Sequence, residues 1–314
     1  MPLLHDLGDF SDLITVVAAD MKIDTGLVEK DYWIMHALWG LRQLGFRFEL
    51  KGGTSLSKGY QLIHRFSEDI DILIHPQGDL PTGRNHDKPV HIEQRRAFFD
   101  GLVPQLSLPG FERAERDQAF DDPTGRMRGA GIRLIYPEIN PLPAGLKAGV
   151  LLEAGFDRVA PNQPRLISSW AYDHAVASGV PDLIDNRAVD VLCYEPGYTF
   201  VEKLQTLSTK FRQQQASGEM PVNFMRHYYD VSCLLEDEGV QAFIGTPEYF
   251  AHKADRFRGG DEPDPRRNEA FRLSDPATRQ IYADAYERTR ALYYRDRPSL
   301  DAILAQLDAY LDRL

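Results

Sequence analysis

Apolar residues recur at helical spacing from the start of the chain. Phe10, Leu13, Ile14 and Val17 share one face, then Tyr32, Met35, Leu38, Trp39 and Leu41 share another, so two helices come first. Phe46 to Leu50 reads as a short strand. It runs into Lys51-Gly52-Gly53-Thr54-Ser55, where two glycines break the strand and Thr54 or Ser55 can cap a helix reaching about His64. Asp69-Ile70-Asp71-Ile72-Leu73-Ile74 alternates with period two and is rich in β-branched residues, which predicts another strand. A polar loop, residues 76–88, precedes a helix from His91 to Leu106 with Ile92, Phe98, Phe99 and Leu102 inward. After the polar stretch 112–127, two strands, Gly131 to Tyr136 and Gly149 to Phe156, flank a Pro-rich connection and are expected to pair antiparallel. From Pro196 onward the pattern is helical, with Phe200, Leu204, Leu207 and Phe211, then Phe224, Tyr228, Val231 and Leu235, and a final amphipathic helix over 300–314. The expected fold class is α+β, with a first domain over 1–195 and a helical domain over 196–314.

The phase of the second strand carries the chemistry. Residues two apart in a strand point the same way, so Asp69 and Asp71 project from one face while Ile70, Ile72 and Ile74 bury on the other. Two adjacent carboxylates repel, and a divalent cation between them removes the conflict. Magnesium is the expected occupant, because it takes one or two carboxylates plus substrate phosphates and water. An exposed edge strand carrying acids on its wet face gives the same pattern. The upstream glycine turn favours the metal reading: Gly52 and Gly53 let backbone amides approach a triphosphate, and Thr54 and Ser55 open a helix whose unpaired N–H groups favour anions, while a plain strand-to-helix connection is the other reading of the turn itself. Glu153, alone in the apolar run Val150-Leu151-Leu152-Glu153-Ala154, is the candidate third metal ligand; a solvent-facing phase is the alternative.

Composition narrows the setting. A net charge of -11 argues against a wholly basic nucleic-acid surface, so any such partner must meet a local patch. The candidates are Arg126, Arg128 and Arg133, then Lys210 and Arg212, then Arg256, Arg258, Arg266 and Arg267, each of which also reads as ordinary solvated surface. Two cysteines, Cys193 and Cys233, supply neither a disulfide framework nor metal-ligand spacing, and the first residues lack a signal-peptide pattern. No run is long and apolar enough to span a bilayer. These features predict a cytoplasmic protein with no membrane partner.

Gly52-Gly53-Thr54-Ser55-Leu56 followed by Arg65-Phe66-Ser67-Glu68-Asp69-Ile70-Asp71 resembles the signature of the AbiEii nucleotidyltransferase toxins of type IV toxin-antitoxin and abortive-infection systems, which are similar to the MenT toxins. Val28-Glu29-Lys30-Asp31-Tyr32-Trp33, Glu202-Lys203 and Arg226-His227-Tyr228-Tyr229-Asp230 add shorter matches. The resemblance implies a DNA-polymerase-β-like core followed by a helical domain. It also implies transfer of nucleotides from a nucleoside triphosphate to RNA, the acceptor end of tRNA foremost, with arrest of translation and a cognate antitoxin as functional partner. By the same resemblance Asp69 and Asp71 hold the metal, Lys203 contacts the triphosphate and Asp230 is an active-site acid. The residues alone leave Asp230 free to pair with Lys203 or with Arg226, and Lys203 free to be a surface lysine. Arg65 and Ser67 are expected to tie down the turn before Asp69, and Glu68 to play a supporting role. A protein acceptor, a non-catalytic scaffold and a metal-dependent nuclease are the rival functions.

Overall fold

A computed structural model describes residues 1–314 apart from 84, 144, 158 and 258. The chain forms two compact units, Met1–Gly59 with Ser67–Tyr194, and Tyr60–Phe66 with Glu195–Leu314.

The first unit opens with α1 (Phe10–Met21) and α2 (Thr25–Gln43). Lys22, at φ 57°, ends α1, and the Asp24 carboxylate accepts a hydrogen bond from Gly26 N (2.8 Å) to start α2. Nearly every residue of α2 from Gly26 to Leu41 is buried, and removing a side chain such as Trp33 or Leu38 from water contributes on the order of 2 kcal/mol. The helix packs on α1, on β5 (Val150–Gly155), on α5 (Trp170–Ala177) and on β7 (Ala188–Tyr194), and β1 (Phe48–Lys51) and β2 (Asp69–Ile74) complete the centre of the first unit. Between β1 and β2 lies α3 (Gly52–Thr54), continued as a π-type turn through Ser55–Gly59. The spacing predicts that helix to His64. It stops at Gly59, where a β-carbon would press on Cys193 Sγ, and Gln61 follows at φ 56°.

The remaining elements of this unit are α4 (Pro89–Leu102), β3 (Arg113–Asp117), β4 (Gly129–Ile135) and β6 (Asn162–Ile167). In α4 the buried residues are Arg95, Phe99 and Leu102, with Ile92 and Phe98 only half-buried. Arg95 is inward because its guanidinium donates to the carbonyls of Pro81, His86 and Arg126. Among the described residues the sheet has seven strands in the order β3-β4-β5-β2-β1-β7-β6. It is mixed: β1–β2, β3–β4, β4–β5 and β6–β7 are antiparallel, whereas β1–β7 and β2–β5 are parallel. β4 and β5 pair antiparallel as their flanking turn predicts. β3 falls in a stretch that reads as polar loop, and its alternation is hidden because none of its side chains is fully buried.

The second unit is helical: α6 (Pro196–Ser217), α7 (Arg226–Glu236), α8 (Glu238–Phe243), α9 (Pro247–Arg256), α10 (Pro276–Glu287) and α11 (Leu300–Asp308). Pro196 starts α6 and Gly218, at φ 75°, ends it. Phe200, Leu204 and Leu207 of α6 and Tyr228, Val231 and Leu235 of α7 are buried. The segment Tyr60–Phe66 belongs here: Phe66 N donates to Leu292 O (2.7 Å), and His64 N to the Tyr229 hydroxyl (3.1 Å). Among the described residues no helix is long and apolar enough to cross a membrane.

Candidate active site

The register of the sheet gathers the acids. Asp71 of β2 stands opposite Glu153 of β5 on one side and Lys51 of β1 on the other, and Gly131 of β4 follows Glu153. Partners in register project from the same face, and Asp69, two residues from Asp71, shares it. The other face is apolar and shut: Leu50, Ile70, Ile72, Leu152 and Ala154 are 1% exposed or less. Three carboxylates therefore crowd one face at the C-terminal end of β1. Burial pushes the Glu153 carboxyl up to about 8, with the charges of Asp71 and then Asp69 adding to the shift and Lys51 opposing it.

The glycine turn lies directly on this row. Gly52 sits at φ +70°, and a β-carbon there would land on Asp71 Oδ2. Both the backbone angle and the close approach exclude a side chain at this position. The Thr54 hydroxyl donates to the Asp69 carbonyl (2.5 Å), which ties the turn to the first residue of β2. Gly53, Thr54 and Ser55 are buried, and the Ser55 hydroxyl has no oxygen or nitrogen partner and neighbours the Cys193 thiol.

Three consecutive charges of α2 hold the surroundings, although their spacing gave no sign of it. Glu29 accepts from Ile139 N (2.9 Å), Asn140 N (2.8 Å) and Asn140 Nδ2 (2.9 Å). Lys30 donates to Lys147 O (2.6 Å) and lies 3.6 Å from Glu68, the residue preceding β2. Burial lowers the Lys30 ammonium, while Glu68 and Asp69 push it back up. Asp31 pairs with Lys58 of the glycine turn (2.5 Å) and accepts from Trp170 N (2.8 Å). The turn, the start of β2 and the β4–β5 connection are thereby fastened to one rigid helix. Glu68 thus has the supporting place that the sequence suggests.

In the second unit, Asp230 of α7 is wholly buried between two cations. Arg65 grips it in a fork, Nε to Oδ1 at 2.6 Å and Nη2 to Oδ2 at 2.8 Å, and Lys203 Nζ of α6 lies 2.9 Å from Oδ2. Burial pushes the Asp230 carboxyl up, but Arg65 and Lys203 more than offset it and hold the group far below the usual carboxylate range. Of the two pairings open at the sequence level, that of Lys203 with Asp230 is formed. Arg65 spends its fork on Asp230 and one further bond on Phe66 O (3.1 Å). His227 Nδ1, 3.4 Å from Lys203 Nζ, can only accept there; burial, and then the Lys203 charge, push its ring well below the usual range. A cavity of about 680 Å³ in this unit, lined by Phe250, Phe257, Leu311 and Leu314 among others, includes none of these residues.

Most cations of the basic clusters have an acidic partner within the chain. Arg126 and Arg128 meet Asp87, Arg133 meets Asp117, Arg212 meets Asp261, Arg256 meets Glu202, Arg266 meets Asp264 and Arg267 meets Glu262. Lys210 donates to Val222 O, and Arg258 lies outside the described residues. Among the described residues no group of three or more His, Cys, Asp and Glu side chains forms a ready-made metal cage. The carboxylate oxygens beside the glycine turn nevertheless have the donor chemistry that magnesium takes, since that ion leaves most of its coordination to water and phosphate.

A family model described as nucleotidyl transferase AbiEii toxin, type IV TA system, matches residues 33–313. The chain belongs to that family. No curated protein and no solved structure matches it. Within this AbiEii-family protein, the glycine turn and the Asp69–Asp71 strand both fall in the matched range, as do Lys203 and Asp230.

Proposed function

We propose that this protein is a magnesium-dependent toxin that transfers nucleotide units from a nucleoside triphosphate to RNA, the acceptor end of tRNA foremost, and so arrests translation. The observation that carries the reading is the Asp71 carboxylate packed on Gly52, with Asp69 and Glu153 on the same face. A cluster of like charges at an anion-receptive turn has a chemical purpose when a cation and a polyphosphate share it, and little purpose otherwise. The β1–β2 pair, with the turn at one end and the acids on the next strand, serves in this proposal as the heart of a DNA-polymerase-β-like core.

Asp69, Asp71 and Glu153 would hold the ion, and magnesium when bound would neutralise triphosphate charge and ease deprotonation of the attacking hydroxyl. The amides of Gly52 to Ser55 receive phosphate oxygens, and Gly52 keeps the approach clear. The acceptor hydroxyl oxygen bonds to the α-phosphorus as the bond from that phosphorus to the oxygen bridging the β-phosphate breaks. The hydroxyl proton passes to solvent, and pyrophosphate leaves. Lys203 and Asp230 keep the roles that the resemblance implies, a triphosphate contact and an active-site acid; the closed ion pairs around Asp230 support a fixed orientation for Lys203. The cytoplasm is the compartment in which such a substrate is found, and an antitoxin is the functional partner.

Labelled triphosphates incubated with total lysate test the reading. Wild-type protein should put label into ribonuclease-sensitive material, and Asp69→Ala should lower incorporation by about 10²–10³-fold. Undiminished transfer by Asp69→Ala ends the proposal, and label that survives ribonuclease moves the acceptor to protein.

A further inference from the structure

One cation of the first unit differs from all its neighbours. Lys30 has Glu68 and Lys147 O, Lys58 has Asp31, and Arg133 has Asp117 and Ala148 O. Lys51 faces Asp71 across the β1–β2 ladder, in the position where a Lys–Asp pair normally closes a cross-strand ion pair. Yet among the described residues its ammonium makes no ion pair and no hydrogen bond, although its charge is felt at Glu153. The reason is local: Asp71 Oδ2 is turned against Gly52, the residue that follows Lys51.

We infer that Lys51 is a substrate-binding residue that takes the non-transferred phosphates of the triphosphate. The inference rests on the function proposed above and deepens it. Lys51 is half-buried at the end of β1, so its backbone is fixed by the sheet while the side chain still reaches solvent. It directly precedes the turn whose amides would meet the same phosphates. A triphosphate approaching a row of acids is repelled unless positive charge is already there, and among the described residues Lys51 is a charge beside that row not committed to an acid. A lysine suits this task because a point charge on a flexible stem can follow the polyphosphate as it shortens to pyrophosphate.

The test uses the full-length chain, magnesium and inorganic tripolyphosphate as probe, with calorimetric titration as readout, beside a transfer assay over the four nucleoside triphosphates. Lys51→Met should weaken tripolyphosphate binding tenfold or more and raise KM much more than it lowers kcat, while Lys51→Arg should recover most of the binding. Thermal midpoints equal to wild type should accompany both substitutions, since the side chain carries no internal bond. Tripolyphosphate binding by Lys51→Met equal to wild type would overturn the assignment and leave the transferase reading intact if wild-type transfer is seen. Loss of tripolyphosphate binding in Lys51→Met, in a protein that transfers nothing from any triphosphate, would support the lysine and remove the transferase reading. A wild-type protein that binds no tripolyphosphate would overturn both.

Discussion

The protein holds two groups of charges that solve opposite problems. Around Asp230 in the second unit, one buried carboxylate has two cations within hydrogen-bonding distance. Along β2 and β5 in the first unit, three carboxylates share a face, and among the described residues Lys51 beside them pairs with none of them. The first group is closed by pairs within the chain, which in the reading proposed above also fix Lys203 in place. The second gathers acids on one face, and in the function proposed above a magnesium ion and a triphosphate complete it. A buried charge paired within the fold carries a large share of stability, whereas acids gathered on one face beside an anion-receptive turn are candidates for ligand binding.

The comparison breaks most readily at Asp230. Asp230→Ala leaves Arg65 and Lys203 buried without a counter-charge, and unfolding in urea should show a loss of about 3–5 kcal/mol. A loss below 1 kcal/mol would mean that the group is not the closed unit described. Its pH behaviour has a definite sign. The folded carboxyl lies below its unfolded value, so its contribution is fully present above the unfolded pKa near 3.8 and is lost only as pH falls well below that.

A buried neutral cluster in the first unit titrates earlier. His36 Nε2 donates to Pro109 O (2.8 Å), while its Nδ1 faces Asn186 Nδ2 (2.9 Å), which also donates to the Tyr32 hydroxyl shared with His5. Burial lowers His36 to about 4 from 6.5, with His5 adding to the shift and Pro109 O and Asp6 opposing it. The unfolded chain then binds a proton that the folded chain refuses, so stability should fall by roughly 3 kcal/mol between pH 6.5 and 4. His36→Gln should flatten that part of the profile; an unchanged slope would assign it to other groups.

Gly52→Ala sharpens the incomplete side. It meets both the positive φ and Asp71 Oδ2, so it should cost about 2 kcal/mol of stability and lower transfer together. Retained transfer would separate the turn from the site. The smallest effect is expected from Asp71→Asn without metal. Removing one acid of the row should add on the order of 1 kcal/mol of stability, read as a slightly higher thermal midpoint, although the same change is expected to remove transfer. A lowered midpoint would mean that Asp71 already has a stabilising partner.

The legible parts of the protein were those in which one local period governs. Asp69–Ile74 alternates and is the strand its pattern predicts, and Glu153 drew notice as a lone acid in an apolar run before register placed it beside Asp71. What escaped was set by distant partners. The helix expected to His64 gives way at Gly59, and Arg65 pairs with a residue 165 positions away. Glu29, Lys30 and Asp31 lie on a helix buried on most sides, where period is no guide to direction. β3 and β6 carry exposed polar side chains, and Pro164 further disguises β6. Lys51 was visible as a residue, but its freedom from any pair appears only in three dimensions.

The most direct measurement is the thermal midpoint of wild type, Asp71→Asn and Glu153→Gln, titrated with magnesium and a non-hydrolysable triphosphate analogue together. The wild-type midpoint should keep rising with the logarithm of ligand concentration, corresponding to about 3 kcal/mol of added stability when ligand is 100-fold above its dissociation constant, and both variants should respond far less. Equal rises in all three proteins would contradict the assignment of the carboxylate row as the magnesium–triphosphate site.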